Sequence, residues 1–140
     1  MDPLSLTASV IAVATAAAQI GSVFAELRKH CIELPGRLHA LNNEVADIEV
    51  VLYQVAAAVN DRSSLPASDQ TAIPQLLKQA KTKLSELNEI IERLAATCDR
   101  KKVILRASAW RKEQPKLQAL QEDIKTVKCS LNIMLGASNS

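Results

Sequence analysis

Aromatic residues are nearly missing from this 140-residue chain, which has one Phe, one Trp and one Tyr. Stacked rings therefore cannot make its core, and the 48% apolar content must fill the interior with Leu, Ile, Val and Ala. Three glycines and five prolines are too few for a many-stranded sandwich or barrel, which needs a turn signal about every 8 to 12 residues. The glycines stand isolated at positions 21, 36 and 136, so no phosphate-cradling loop exists and nucleotide chemistry finds no support. Cys31, Cys98 and Cys129 are odd in number and widely spaced, which fits reduced cytoplasmic thiols rather than a disulfide framework. The only histidines, His30 and His39, lie near Cys31 without the paired spacing that holds a tetrahedral ion, so no metal is expected. Glu44, Asp47, Glu86, Glu89, Glu92, Glu122 and Asp123 fall at spacings ordinary for the sides of helices, and no motif activates a serine or cysteine. Neither an enzyme nor a cofactor is expected.

With 23% charged residues and a net charge of +2, the chain can collapse rather than repel itself. Its most unusual stretch is Pro3 to Ala25, 23 residues without a charge, long enough to cross a bilayer. The acidic start Met1-Asp2-Pro3 does not read as a signal peptide, and the stretch runs on into Glu26, Leu27, Arg28 and Lys29. Seven alanines and the polar Ser5, Thr7, Ser9, Thr15, Gln19 and Ser22 put its insertion free energy near balance. Two readings are compatible with this: a tightly packed seam of a bundle, and a helix that a switch releases into lipid.

Hydrophobic periodicity divides the chain into four helical segments. Leu6, Val10, Val13, Ala17, Ile20, Phe24, Leu27 and Cys31 alternate spacings of four and three, and Ile11, Ala14 and Ala18 widen the stripe. A second stripe runs through Leu38, Leu41, Val45, Ile48, Leu52, Val55 and Val59, ending at the turn formers that follow Asn60. The third takes Ile73, Leu77, Ala80, Leu84, Leu87, Ile91, Leu94 and Cys98; its surface carries Lys78, Lys81 and Lys83, then Glu86, Glu89 and Glu92, and reads as a solvated face. The fourth uses Leu117, Leu120, Ile124, Val127, Leu131 and Met134, with Gln114 and Pro115 in its first turn and Gly136 as a left-handed stop. The segments cover about 3–33, 36–60, 70–99 and 112–135, similar in length, which predicts one all-α domain, an antiparallel four-helix bundle. Val103, Ile104 and Leu105 either extend the third helix or form a short extra helix before the fourth.

Charge is unevenly distributed. Arg100, Lys101, Lys102, Arg106, Arg111, Lys112 and Lys116 face only Glu113 among residues 100–116. Beside Trp110, this run fits contact with anionic lipid headgroups; the residues alone favour a solvated connection with Trp110 capping the bundle end. Without a recognised motif or interleaved aromatics, nucleic acid is not an expected partner.

The opening Met1-Asp2-Pro3-Leu4-Ser5-Leu6-Thr7-Ala8-Ser9-Val10-Ile11-Ala12-Val13 resembles the N-terminal signature of the fungal HeLo-like domains, which precede nucleotide-binding modules, ankyrin repeats or amyloid-forming motifs. Glu44-Val45 with Ile48, Val51 and Leu52 is similar to the family's second helix, and Trp110-Arg111-Lys112 with Ile124, Lys128 and Leu131 to its Trp-containing turn and last helix. The family commonly places proline directly after that tryptophan, whereas here Arg111 follows and the proline comes at 115.

The resemblance implies the N-terminal effector domain of a fungal NLR-like or ankyrin-type immune or incompatibility receptor. Such a domain self-associates when activated, moves from the cytoplasm to the plasma membrane and executes programmed cell death. Leu4, Leu6, Val10, Ile11, Val13, Ile20 and Phe24 would then form the membrane-targeting helix. Arg100, Lys101, Lys102, Arg106, Trp110, Arg111 and Lys112 would contact anionic lipid or a partner, including a receptor domain of the NLR-like kind. A different class of function also fits the residues: a non-lytic adaptor bundle that binds its own kind through exposed helix faces.

Overall fold

The computed structural model describes residues 3–30, 36–60, 67–97 and 107–139. It is all-helical there, with α1 (Pro3–His30), α2 (Gly36–Asn60), α3 (Ala67–Thr97) and α4 (Ala107–Asn139). Each helix turns its apolar stripe inward, and the stripes meet in one continuous core. Every described aliphatic or aromatic position of the three main stripes on α1, α2 and α3 is buried, whereas of the positions expected to widen the α1 stripe Ala14 is buried, Ala18 half-buried and Ile11 exposed; no polar or charged residue is buried among the described residues. Ile90 and Val51 join the core beside those stripes. On α4 the stripe closes on Leu135, with Met134 half-buried against it.

The expected four-helix bundle is present, in a particular cyclic order. Around the ring the helices follow the sequence α1, α2, α4, α3, so α2 and α3 occupy opposite corners. Lys83 meets Asp123 and Arg93 meets Glu113, which makes α3 and α4 antiparallel. Arg37 meets Gln121 and Glu44 meets Lys128, both across 84 residues of sequence, which makes α2 and α4 parallel neighbours. Along the α1/α3 seam, residues 6–16 lie beside 74–81 and residues 16–23 beside 84–92, so that pair is parallel too. Consecutive helices alternate in direction, yet two of the four seams are parallel.

Three local expectations change. Gly136 has no positive φ, and α4 continues through it to Asn139. An exposed glycine with nothing packed against it costs a helix about 1 kcal/mol relative to alanine, too little to stop it where no tertiary contact demands a turn. Pro115 lies inside α4 rather than in its first turn, since the helix already begins at Ala107. Arg111 and Pro115 are both exposed, so water can take the carbonyl that the missing N–H leaves free. α3 starts at Ala67, three residues before the expected 70, which leaves Pro74 two turns inside it. Residues 31–33 and 98–106 lie outside the described residues, and with them the stripe positions Cys31 and Cys98 and the candidate extra helix around Val103, Ile104 and Leu105. Residues 107–111 belong to α4.

Candidate functional site

The site proposed from sequence begins with α1. Leu6, Val10, Val13, Ile20 and Phe24 are at most 6% exposed and pack into the core. Ile11 is the exception: it is 43% exposed and does not widen the buried stripe, which Ala14 does instead at 0%. Position 11 lies one residue off the inward 10 and 13 register, so the helical rotation of 100° per residue carries it to the outer face. Leu4 lies within α1, and its side chain is outside the described residues.

The outer face of α1 is small and uncharged over its first six turns, with Ser5, Ala8, Ile11, Ala12, Thr15, Gln19 and Ser22 exposed. Three of its hydroxyls are turned back on their own helix. Ser9 donates to the carbonyl of Ser5 at 2.9 Å, Thr15 to that of Ile11 at 2.9 Å and Ser22 to that of Ala18 at 3.3 Å. A hydroxyl satisfied this way takes its hydrogen bond with it when the helix moves, which lowers the cost of an apolar surrounding. Within the 25-residue stretch Ser5–Lys29, an 18-residue window has a mean hydropathy of 1.7, and a third of that window is buried.

The seam between α1 and α3 is open. A cleft of about 330 Å³ is lined by Leu6, Ala12, Val13 and Leu77 and edged by Lys78 and Lys81. A second cleft of similar volume, about 330 Å³, continues along the seam past Ile20, Ser85, Glu89 and Glu92. Of the four seams around the ring, residue contact is densest between α1 and α2 and sparsest between α1 and α3. Sequence reading did not find this seam, because the period of a stripe says nothing about which neighbour it faces.

The basic run is only partly visible. Arg111 and Lys112 are exposed on α4; Trp110 lies in α4 with its side chain outside the described residues, as are Arg100, Lys101, Lys102 and Arg106 altogether. The contact between Arg93 and Glu113 places the start of α4 beside the end of α3, and the parallel α1/α3 seam brings the end of α1 there too. One end of the bundle therefore carries exposed Arg28, Lys29, Arg111 and Lys112 together.

α2 and α4 are joined by polar contacts. Lys128 donates to Glu44 at 2.6 Å and lies 3.6 Å from Asp47, and Arg37 donates to Gln121 at 2.7 Å. Burial works against the charge of Lys128, but the hydrogen bond and negative charge of Glu44, then Asp47, outweigh it and raise the ammonium above the ordinary lysine range. The Nε of Arg37 is buried without a partner among the described residues. No group of three metal-ligating side chains occurs among the described residues.

A first helix uncharged up to Ala25, four amphipathic segments of matched length and a basic end make one pattern. The family model of the pigment biosynthesis cluster protein PigL N-terminal domain matches residues 1–139. The chain belongs to this family. It is a family of HeLo-like fungal domains, so the resemblance carried by the opening residues extends along the whole bundle. No curated protein and no solved structure matches the chain significantly. In this member of the PigL N-terminal family, the opening signature Leu4 to Val13 forms the first third of α1, at the end of the seam bordered by Lys78 and Lys81.

Proposed function

We propose that this chain is the N-terminal effector domain of a fungal immune or incompatibility receptor, which on oligomerisation delivers α1 to a membrane and executes cell death. The observation that carries this reading is α1 itself: long and apolar enough to span a bilayer, uncharged on its outer face over the first six turns, and set along an open seam of the bundle. The same leucines and valines that fill the core at rest would meet acyl chains after release, so the transition exchanges one apolar environment for another. Arg28, Lys29, Arg111 and Lys112 at the far end of α1 support an orientation in which that end stays with anionic headgroups while Leu6 enters first. The domain acts from the cytoplasm and moves to the plasma membrane, and its partners are copies of itself, anionic lipid and the receptor module that clusters it.

Dye leakage from vesicles tests this. The chain and a version fused to a trimeric coiled coil are added to vesicles with and without phosphatidylserine. Leakage is expected from the clustered form on anionic vesicles and not on neutral ones. If the clustered form leaves anionic vesicles intact, the membrane reading fails and the non-lytic adaptor takes its place.

A further inference from the structure

We propose that the outward face of α3 is a self-complementary dimer interface, in which a second copy of this chain packs antiparallel with its two-fold axis at Ser85. Lys78, Lys81, Ser85, Glu89 and Glu92 are all exposed and follow one another at spacings of three, four, four and three, so they share one face of α3. Lys78 and Lys81 repel each other at i,i+3, and so do Glu89 and Glu92. The only opposite charge three or four residues from any of them on their own helix is Arg93, four beyond Glu89, and its guanidinium is turned to Glu113. The neighbouring charges are already engaged within the chain: Lys83 with Asp123 at 3.2 Å and Arg93 with Glu113 at 3.4 Å. Lys78, Lys81, Glu89 and Glu92 form no ion pair with another described residue.

The positions are mirror-related. Lys78 and Glu92 lie seven residues either side of Ser85, and Lys81 and Glu89 four either side. A two-fold axis there sets Lys78 against Glu92 and Lys81 against Glu89 of the second copy, each pair occurring twice. The outer pairs fall about 10 Å from the axis at 1.5 Å per residue, and a serine at the centre lets the helices approach closely. A parallel arrangement would oppose lysine to lysine and glutamate to glutamate, so charge selects the antiparallel one. The two clefts beside this face, bordered by the lysines and by the glutamates, give the second copy's side chains room to enter toward Ala12, Ala16 and Leu77. Exposed ion pairs are individually weak and screened by salt, so this interface specifies orientation and partner more than strength.

The dimer is independent of the membrane reading, since vesicles can stay intact while the chains associate. The test is sedimentation velocity on the whole chain at low salt, with circular dichroism to confirm that each variant is folded. The wild type is expected to dimerise reversibly, with a dissociation constant that rises roughly tenfold between low and high salt. Lys78→Glu with Lys81→Glu, and separately Glu89→Lys with Glu92→Lys, should each be monomeric, while an equimolar mixture of the two forms heterodimers and the fourfold reversal dimerises again. Oxidised Ser85→Cys should give a dimer linked between the two copies of position 85. A wild type that stays monomeric at low salt, folded double variants that still dimerise, a mixture that does not pair, or a cross-link that avoids position 85 would each overturn the proposal.

Discussion

Lys128 on α4 and Glu44 on α2 meet at 2.6 Å, each side chain only 16% exposed, at the same 84-residue offset that brings Arg37 to Gln121. Two contacts at one offset hold these helices parallel and in register. Because the pair is largely shielded, removing one partner strands the other. Lys128→Met and Glu44→Gln are each expected to cost about 1 to 3 kcal/mol, and the double variant less than the sum. Urea unfolding midpoints for the four forms measure this coupling.

The pair also sets a pH dependence. The folded chain holds the Lys128 proton more firmly than the unfolded chain, chiefly because Glu44 overcomes the cost of burial. That contribution to stability is fully present below the unfolded lysine value of about 10.4 and is lost as pH rises through the higher folded value. The stability gap between wild type and Lys128→Met should stay constant from neutral pH to about pH 10 and narrow above it. A gap that already closes between about pH 7 and pH 9 would contradict the assignment.

Phe24 and Ile11 separate packing from lipid contact on the same helix. Phe24 is 1% exposed, and Phe24→Ala should destabilise by about 3 to 5 kcal/mol. Ile11 is 43% exposed, and Ile11→Ser should change stability by less than about 0.5 kcal/mol. If α1 enters membranes, Ile11→Ser also slows leakage by the clustered domain at unchanged melting temperature.

Gly21 is helical in the middle of α1, and a methyl group there would meet nothing within 4 Å. Gly21→Ala should therefore stabilise the bundle by about 0.5 to 1 kcal/mol through the unfolded state and helix propensity. Thermal and urea unfolding would both show it, and a loss of stability would mean that α1 packs more closely against its neighbours.

Arg111 and Lys112 are exposed and distant from the core, so reversing both to glutamate should leave thermal unfolding unchanged. Under the membrane reading, the same double variant binds phosphatidylserine vesicles less tightly, and wild-type binding weakens with salt. Co-sedimentation with vesicles at two ionic strengths distinguishes this from a solvated helix start, for which neither change alters binding.

Four amphipathic helices, and the main stripes that bury on α1, α2 and α3, follow from the sequence by itself, because the direction of each side chain around a helix depends only on local geometry. That is why Leu6, Ile48 and Leu87 could be assigned to the core without knowing their neighbours. The uncharged length of α1 and the opening signature were equally legible, being properties of contiguous residues. Local patterns could not say that α4 sits between α2 and α3, that Lys128 reaches Glu44, or that an open seam runs beside Lys78 and Glu92. A stripe records that a helix has an apolar face and not which helix will cover it, so ring order, ion pairing and the seam were decided only when four such faces closed on one another.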